Sequence, residues 1–138
     1  MNAEQRIAHH RVVFEPPDLL LSKPNKIITQ EDNDAIWKFI FHVTASVERF
    51  YWIANISELE RLPPATKTAN AAGAIGKLHG LACVQGSFAQ RTILGISARA
   101  AKLMGYRHAE SDVGFFDNES EARAWIESLR QQARNKRK

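Results

Sequence analysis

Short apolar runs of strand length alternate along this chain with segments whose apolar residues recur every three or four positions. A helix placed between two strands carries the chain back to the end where the earlier strand began, so the strands pair in parallel through crossovers rather than hairpins. The first two runs, Arg11 to Glu15 and Asp18 to Ser22, are separated only by Pro16 and Pro17 and read as an opening strand pair. Lys23 to Lys26 reads as a turn, and Thr29 with Asp32 has the spacing that starts a helix. That helix lines up Ile36, Phe39, Ile40 and Val43 on one face. Phe50 to Ala54 is an aromatic-rich strand ending at Asn55 and Ser57, and Pro63 and Pro64 open a second helix over residues 65–75, closed by Gly76. Gly80 to Gln85 is the next strand. Ser87 and Gln90 start a third helix with a stripe of Ile93, Ile96, Ala100 and Leu103 and a stop at Gly105. Val113 to Phe116 is the last strand, and Asn118 with Glu121 caps a final helix whose core face is Ala122, Trp125, Ile126 and Leu129. The expected fold is one α/β domain over residues 11–129, with a mixed, mostly parallel sheet of about five strands and about four helices packed on it. A flexible N-terminus at 1–10 and a basic tail at 130–138 flank it.

The length of 138 residues and a hydrophobic content of 44% suit a single core. No run approaches the ~20 apolar residues that span a bilayer, and the first six residues lack the apolar segment of a secretory signal. A lone cysteine, Cys83, excludes an intrachain disulfide and suits a reducing compartment, so the expected location is the cytoplasm. The net charge of +4 is unevenly spread: Arg130, Arg134, Lys136, Arg137 and Lys138 close the chain without an acid, and the remainder carries −1. Within that remainder, Arg61 to Ala109 holds seven basic residues and no acid, so the middle third is positive. The aromatics sit in core segments rather than beside the basic tail, which argues against nucleic acid as the partner.

Tests for chemistry come out negative. The five histidines include no pair at a helical metal-binding separation, so no metal site is expected. Gly73 to Lys77 carries glycines and a lysine, but Leu78 stands where a phosphate-binding loop needs a hydroxyl. Gly86-Ser87 lies at a strand-to-helix turn like a nucleophile elbow, yet Ala89 replaces the second glycine and Ser87 reads as a helix cap. No catalytic residue and no cofactor is expected. Cys83, inside an apolar strand, reads as an inert buried thiol. Trp37 and Phe41, four apart on the first helix, are rotated from its main stripe; packed, they widen the core, and exposed, they would mark a partner or homodimer surface.

The string Val113-Gly114-Phe115-Phe116-Asp117-Asn118-Glu119-Ser120-Glu121-Ala122-Arg123-Ala124-Trp125-Ile126 resembles the terminal strand and helix of STAS-like proteins. This bacterial group is related to the SpoIIAA anti-sigma-factor antagonist and is also described as STAS/SEC14-like. The layout from Arg11 to Leu129 is similar as well. The resemblance implies a small sheet with helices, no chemistry of its own, and a role in protein interaction and signalling. A second reading is a SEC14-like protein that binds or senses a small ligand, a lipid, an apolar molecule or an anion. The antagonists carry an Asp-Ser-Ser-Gly-type phosphorylation motif, whereas Leu62-Pro63-Pro64-Ala65-Thr66 holds neither serine nor glycine, leaving Thr66 and Thr68 as the hydroxyls near that point.

In a parallel sheet, ligands favour the crevice outside the carboxyl ends of the strands. That edge comprises Asn55 and Ser57, leading to Thr66 and Lys67, and Ser87, leading to Arg91. Helix N-termini add partial positive charge beside Lys67 and Arg91, so an anion or an acidic partner surface is expected there.

Overall fold

A computed structural model describes residues 3–60, 74, 76–87, 89–92 and 112–136. Six strands, β1 (Ala3–Ile7), β2 (His10–Glu15), β3 (Leu19–Lys23), β4 (Phe50–Asn55), β5 (Leu78–Val84) and β6 (Asp112–Phe116), form one sheet. Among the described residues, α1 (Gln30–Val43) and α2 (Glu119–Lys136) are described along their length, and residues 89–92 are also helical. The strand order follows the chain, β1-β2-β3-β4-β5-β6. The first two pairings are antiparallel and the next three are parallel, so the mixed, mostly parallel α/β sheet expected from the sequence is present with one strand more.

The extra strand is β1. The N-terminus expected to be flexible pairs along its length with β2, from Ala3 opposite Phe14 to Ile7 opposite His10. Ala8 closes the two-residue turn with a φ of 54°. Neither Ala8 nor His9 is a usual turn residue, and β1 exposes Glu4, Gln5 and Arg6, so neither of the customary strand signals marks this segment.

Alternation along the strands builds two cores. Leu20, Phe50, Ala54 and Cys83 join Ile36, Trp37 and Ile40 of α1 on one face. Tyr51, Ile53, Ala82 and Val84 meet Ala122, Ile126 and Leu129 of α2 on the other. The start of α1 follows the sequence: Thr29 Oγ1 accepts from the Asp32 N–H at 3.0 Å, completing a capping box. The Glu121 N–H donates to Asn118 Oδ1 at 2.9 Å at the start of α2. Two glycines let α2 approach closely. A Cβ on Gly80 would lie 2.6 Å from Leu129 Cδ1, and one on Gly114 would lie 2.8 Å from the Phe116 ring and 3.4 Å from Trp125.

The basic tail expected from Arg130 onward is not a frayed end in its first part, because α2 continues to Lys136. Its arginines clamp the β2–β3 turn. Arg123 donates to both oxygens of Glu15 at 3.1 and 2.8 Å, and Arg130 to both oxygens of Asp18 at 3.2 and 2.6 Å. The Arg130 guanidinium also stands over the Tyr51 ring, 5.6 Å from its centre. Bidentate pairs of this geometry exceed ordinary surface ion pairs, each contributing on the order of 1 kcal/mol at partly exposed sites. The second and third helices expected at 65–75 and onward from Ser87 fall largely outside the described residues. Among those described, Ala74 and 89–92 are helical. No helix among the described residues is long and apolar enough to cross a membrane.

Ile126 is 1% exposed in the second core, so Ile126→Ala should lower the unfolding free energy by about 2–5 kcal/mol in urea titrations. The Glu15 clamp adds a pH dependence. The hydrogen bond from Arg123 holds the Glu15 carboxyl below its ordinary value of 4.5. The contribution of a carboxyl depressed in the folded state is complete above 4.5 and is lost as pH falls through the lower native value. Wild-type protein and Arg123→Ala should therefore differ most in stability near pH 6 and converge as the solution is acidified below 4.5.

Candidate functional site

Parallel pairing brings the carboxyl ends of β3, β4, β5 and β6 to one edge of the sheet. Asn55, the last residue of β4, is held as a turn former: its Oδ1 accepts from the Ser57 N–H at 3.0 Å and from the Ser57 hydroxyl at 2.7 Å. Its amide donates to Gln85 Oε1 at 3.5 Å, linking the ends of β4 and β5. Ser87 is a helix cap, as its spacing indicated. Its Oγ accepts from the Gln90 N–H at 3.1 Å while Gln90 Oε1 accepts from the Ser87 N–H at 2.6 Å. The Gln90 amide reaches across to the carbonyls of Ile56 and Leu59, so the turns after β4 and β5 are tied together.

Four of the six residues expected at this edge, Asn55, Ser57, Ser87 and Arg91, thus gather there. Thr66 and Lys67 lie outside the described residues. Arg91, expected to receive an anion, is engaged within the fold. Its guanidinium donates to the carbonyls of Gly86 at 3.1 Å and Phe116 at 2.9 Å and to the Asp117 carboxylate at 3.2 Å. The arginine closes the ends of β5 and β6, with its charge already opposed by Asp117.

Beside this cluster, on the α2 face, runs a groove of about 330 Å³. Val13, Leu21, Ile53 and Val84 line its floor, and Arg11, Lys23, Asn55, Gln85 and Glu119 its rim. Lys23, Gln85 and Glu119 were not expected at the site, since only the packing of the ends of β3 and β5 against the start of α2 brings them together.

The opposite face holds a second space, a cavity of about 260 Å³ between the sheet and α1. Its walls are mostly apolar and include Ile28, Ile36, Trp37, Trp52, Leu81 and Cys83. Trp37 is therefore core and Phe41 is exposed, which separates the pair that the helical spacing had joined. The rotation of Trp37 off the main stripe was the available signal, because it turns the indole toward β4, where it meets Trp52 edge to face at 5.5 Å. The Trp52 indole N–H donates to Ser22 Oγ at 2.8 Å.

At the rim of this cavity, His10 is 2% exposed. Its Nδ1 accepts from the Asn25 N–H at 2.9 Å, which leaves Nε2 to carry the proton and donate to Asp32 at 3.2 Å. Both ring nitrogens are engaged, so His10 locks β2 to the start of α1 and has no lone pair directed at the cavity. Among the described residues there is no group of three or more His, Cys, Asp and Glu side chains that could hold a metal ion. No protein-family model, curated protein or solved structure matches the chain.

Burial pushes the Cys83 thiol up to about 12, far above the range in which a thiolate forms at neutral pH. Iodoacetamide at pH 8 should leave Cys83 unmodified in the folded protein and alkylate it in urea; rapid alkylation without denaturant would show that the cavity wall opens.

Proposed function

We propose that this chain is a non-enzymatic cytoplasmic regulatory module of the STAS-like kind, which docks a protein partner at the carboxyl edge of its parallel strands. The groove of about 330 Å³ at that edge carries the reading, because it joins an apolar floor to a polar and charged rim beside Asn55. Such a site suits an extended partner segment that places apolar side chains on Val13, Leu21, Ile53 and Val84 and acidic groups near Lys23. The Asn55–Ser57 turn and the Ser87–Gln90 cap hold the edge in a fixed shape, which reduces the ordering that binding requires. The reading rests on the groove rather than on Arg91, whose donors serve the fold. The resemblance of Val113 to Ile126 to the terminal strand and helix of STAS-like proteins supports the STAS-like assignment. The cavity under α1 favours a second reading, a SEC14-like protein that senses a small ligand.

The deciding experiment compares two variants in co-purification from extract of the source cells at physiological salt, followed by titration with the partner recovered. Lys23→Glu with Gln85→Glu changes two exposed rim positions and should weaken binding at least about tenfold through like-charge repulsion. Removing residues 134–138 keeps the Arg130 clamp and should leave binding unchanged. Loss of binding in the shortened chain alone would transfer the function to the basic tail and refute the edge assignment.

A further inference from the structure

The cavity beneath α1 differs from the groove in chemistry as well as in place. Its indoles, branched aliphatics and Cys83 offer almost no polar surface, and the polar groups at its border are largely occupied. His10 is held between Asn25 and Asp32, and Arg11 is paired with Glu4. An ionised ligand would therefore lose its hydration without meeting an unpaired counter-charge among the described residues. Ser22 is different. Its oxygen accepts the Trp52 indole proton, while no described neighbour accepts the proton of its own hydroxyl.

Size narrows the ligand further. An apolar cavity of ~150 Å³ accommodates benzene, so a space of about 260 Å³ corresponds to a fused two-ring molecule. The edge-to-face arrangement of Trp37 and Trp52 presents both a ring edge and a ring face, which suits a planar guest.

We propose that the cavity between α1 and the sheet is a binding site for a small, uncharged, planar apolar molecule of two-ring size that carries one hydrogen-bond acceptor for the Ser22 hydroxyl. The proposal rests on the ligand-sensing reading and specifies its ligand. Ser22 sets specificity, because an acceptor on the guest meets a donor already oriented by Trp52. Ala54 and Leu81 set size, since both line the space and a larger side chain at either would occupy it. The same Ser22 also lines the groove on the opposite face, so the two spaces share part of a wall.

Four probes test this by NMR on the full chain with ¹⁵N-labelled tryptophan: quinoline, naphthalene, 2-naphthoate and hexanoate. Quinoline should bind saturably with a dissociation constant below about 1 mM, shifting the indole signals of Trp37 and Trp52. Trp125, in the opposite core, should not respond. Naphthalene, which lacks the acceptor, should bind more weakly than quinoline, and Ser22→Ala should abolish that difference. Both anions should bind at least about tenfold more weakly. Ala54→Leu should reduce quinoline binding at least about tenfold with the remaining spectrum preserved; should that variant fail to fold, Leu81→Phe serves the same purpose. Equal or tighter binding of 2-naphthoate or hexanoate would overturn the ligand class while leaving a ligand-sensing cavity in place. The absence of saturable binding by all four probes would overturn the sensing reading itself. Quinoline binding indifferent to a folded cavity-filling variant would place the site elsewhere and overturn the proposal.

Discussion

Parallel pairing of β3, β4, β5 and β6 is the constraint on which the other features depend. Parallel neighbours cannot be joined by a tight turn, so each crossover must traverse a face of the sheet, and the sheet needs apolar residues on both sides. Leu20 and Leu19, Trp52 and Tyr51, and Cys83 and Ala82 supply opposite faces from adjacent positions. The same rule sends the carboxyl ends of these four strands to one edge. Asn55, Gln85 and Phe116 meet there because the strands run in one direction, and Arg91 can hold the Phe116 carbonyl only in that arrangement.

The two faces are finished by different chemistry. On the α1 side, β2 and the helix are joined through His10 and Asp32, and the hydrophobic contact leaves a space beside the indoles. On the α2 side, two arginines grip carboxylates on either side of Pro16 and Pro17, and glycines at positions 80 and 114 let Trp125 and Leu129 come close. The space under α1 is walled mostly by apolar side chains, while the groove on the α2 face has a polar and charged rim.

Local signals were legible wherever one segment carried its own cause. Thr29 with Asp32, Ser87 with Gln90 and Asn118 with Glu121 are short-range capping pairs, and each forms. The apolar stripe of α2 likewise appears where its spacing places it. Signals that needed a partner were not legible. The polar strand β1 becomes a strand through β2, and Arg130 looked like the start of a free tail because Asp18, far away in sequence, is its reason for being ordered. For the candidate site, the edge could be read from topology and four of its residues do converge. Arg91's engagement with two carbonyls could not be read, because it depends on where β6 ends. The groove rim and the cavity were equally hidden, since both depend on how helices pack on the paired strands.

The agreement between strand order and chain order bears on how the molecule acquires its shape. Each new strand adds to the free edge left by its predecessor, and the sheet as described requires no strand to be threaded between two that have already paired. During synthesis, the β1–β2–β3 meander can form from local contacts as it emerges, giving β4 and then β5 a template on which to settle. Helix α2 is made after all six strands, and its arginines close back on Glu15 and Asp18, in the β2–β3 turn made well before it. Assembly is thus progressive up to this step, which ties α2 to the β2–β3 turn and makes the unfolding of one a loss for the other.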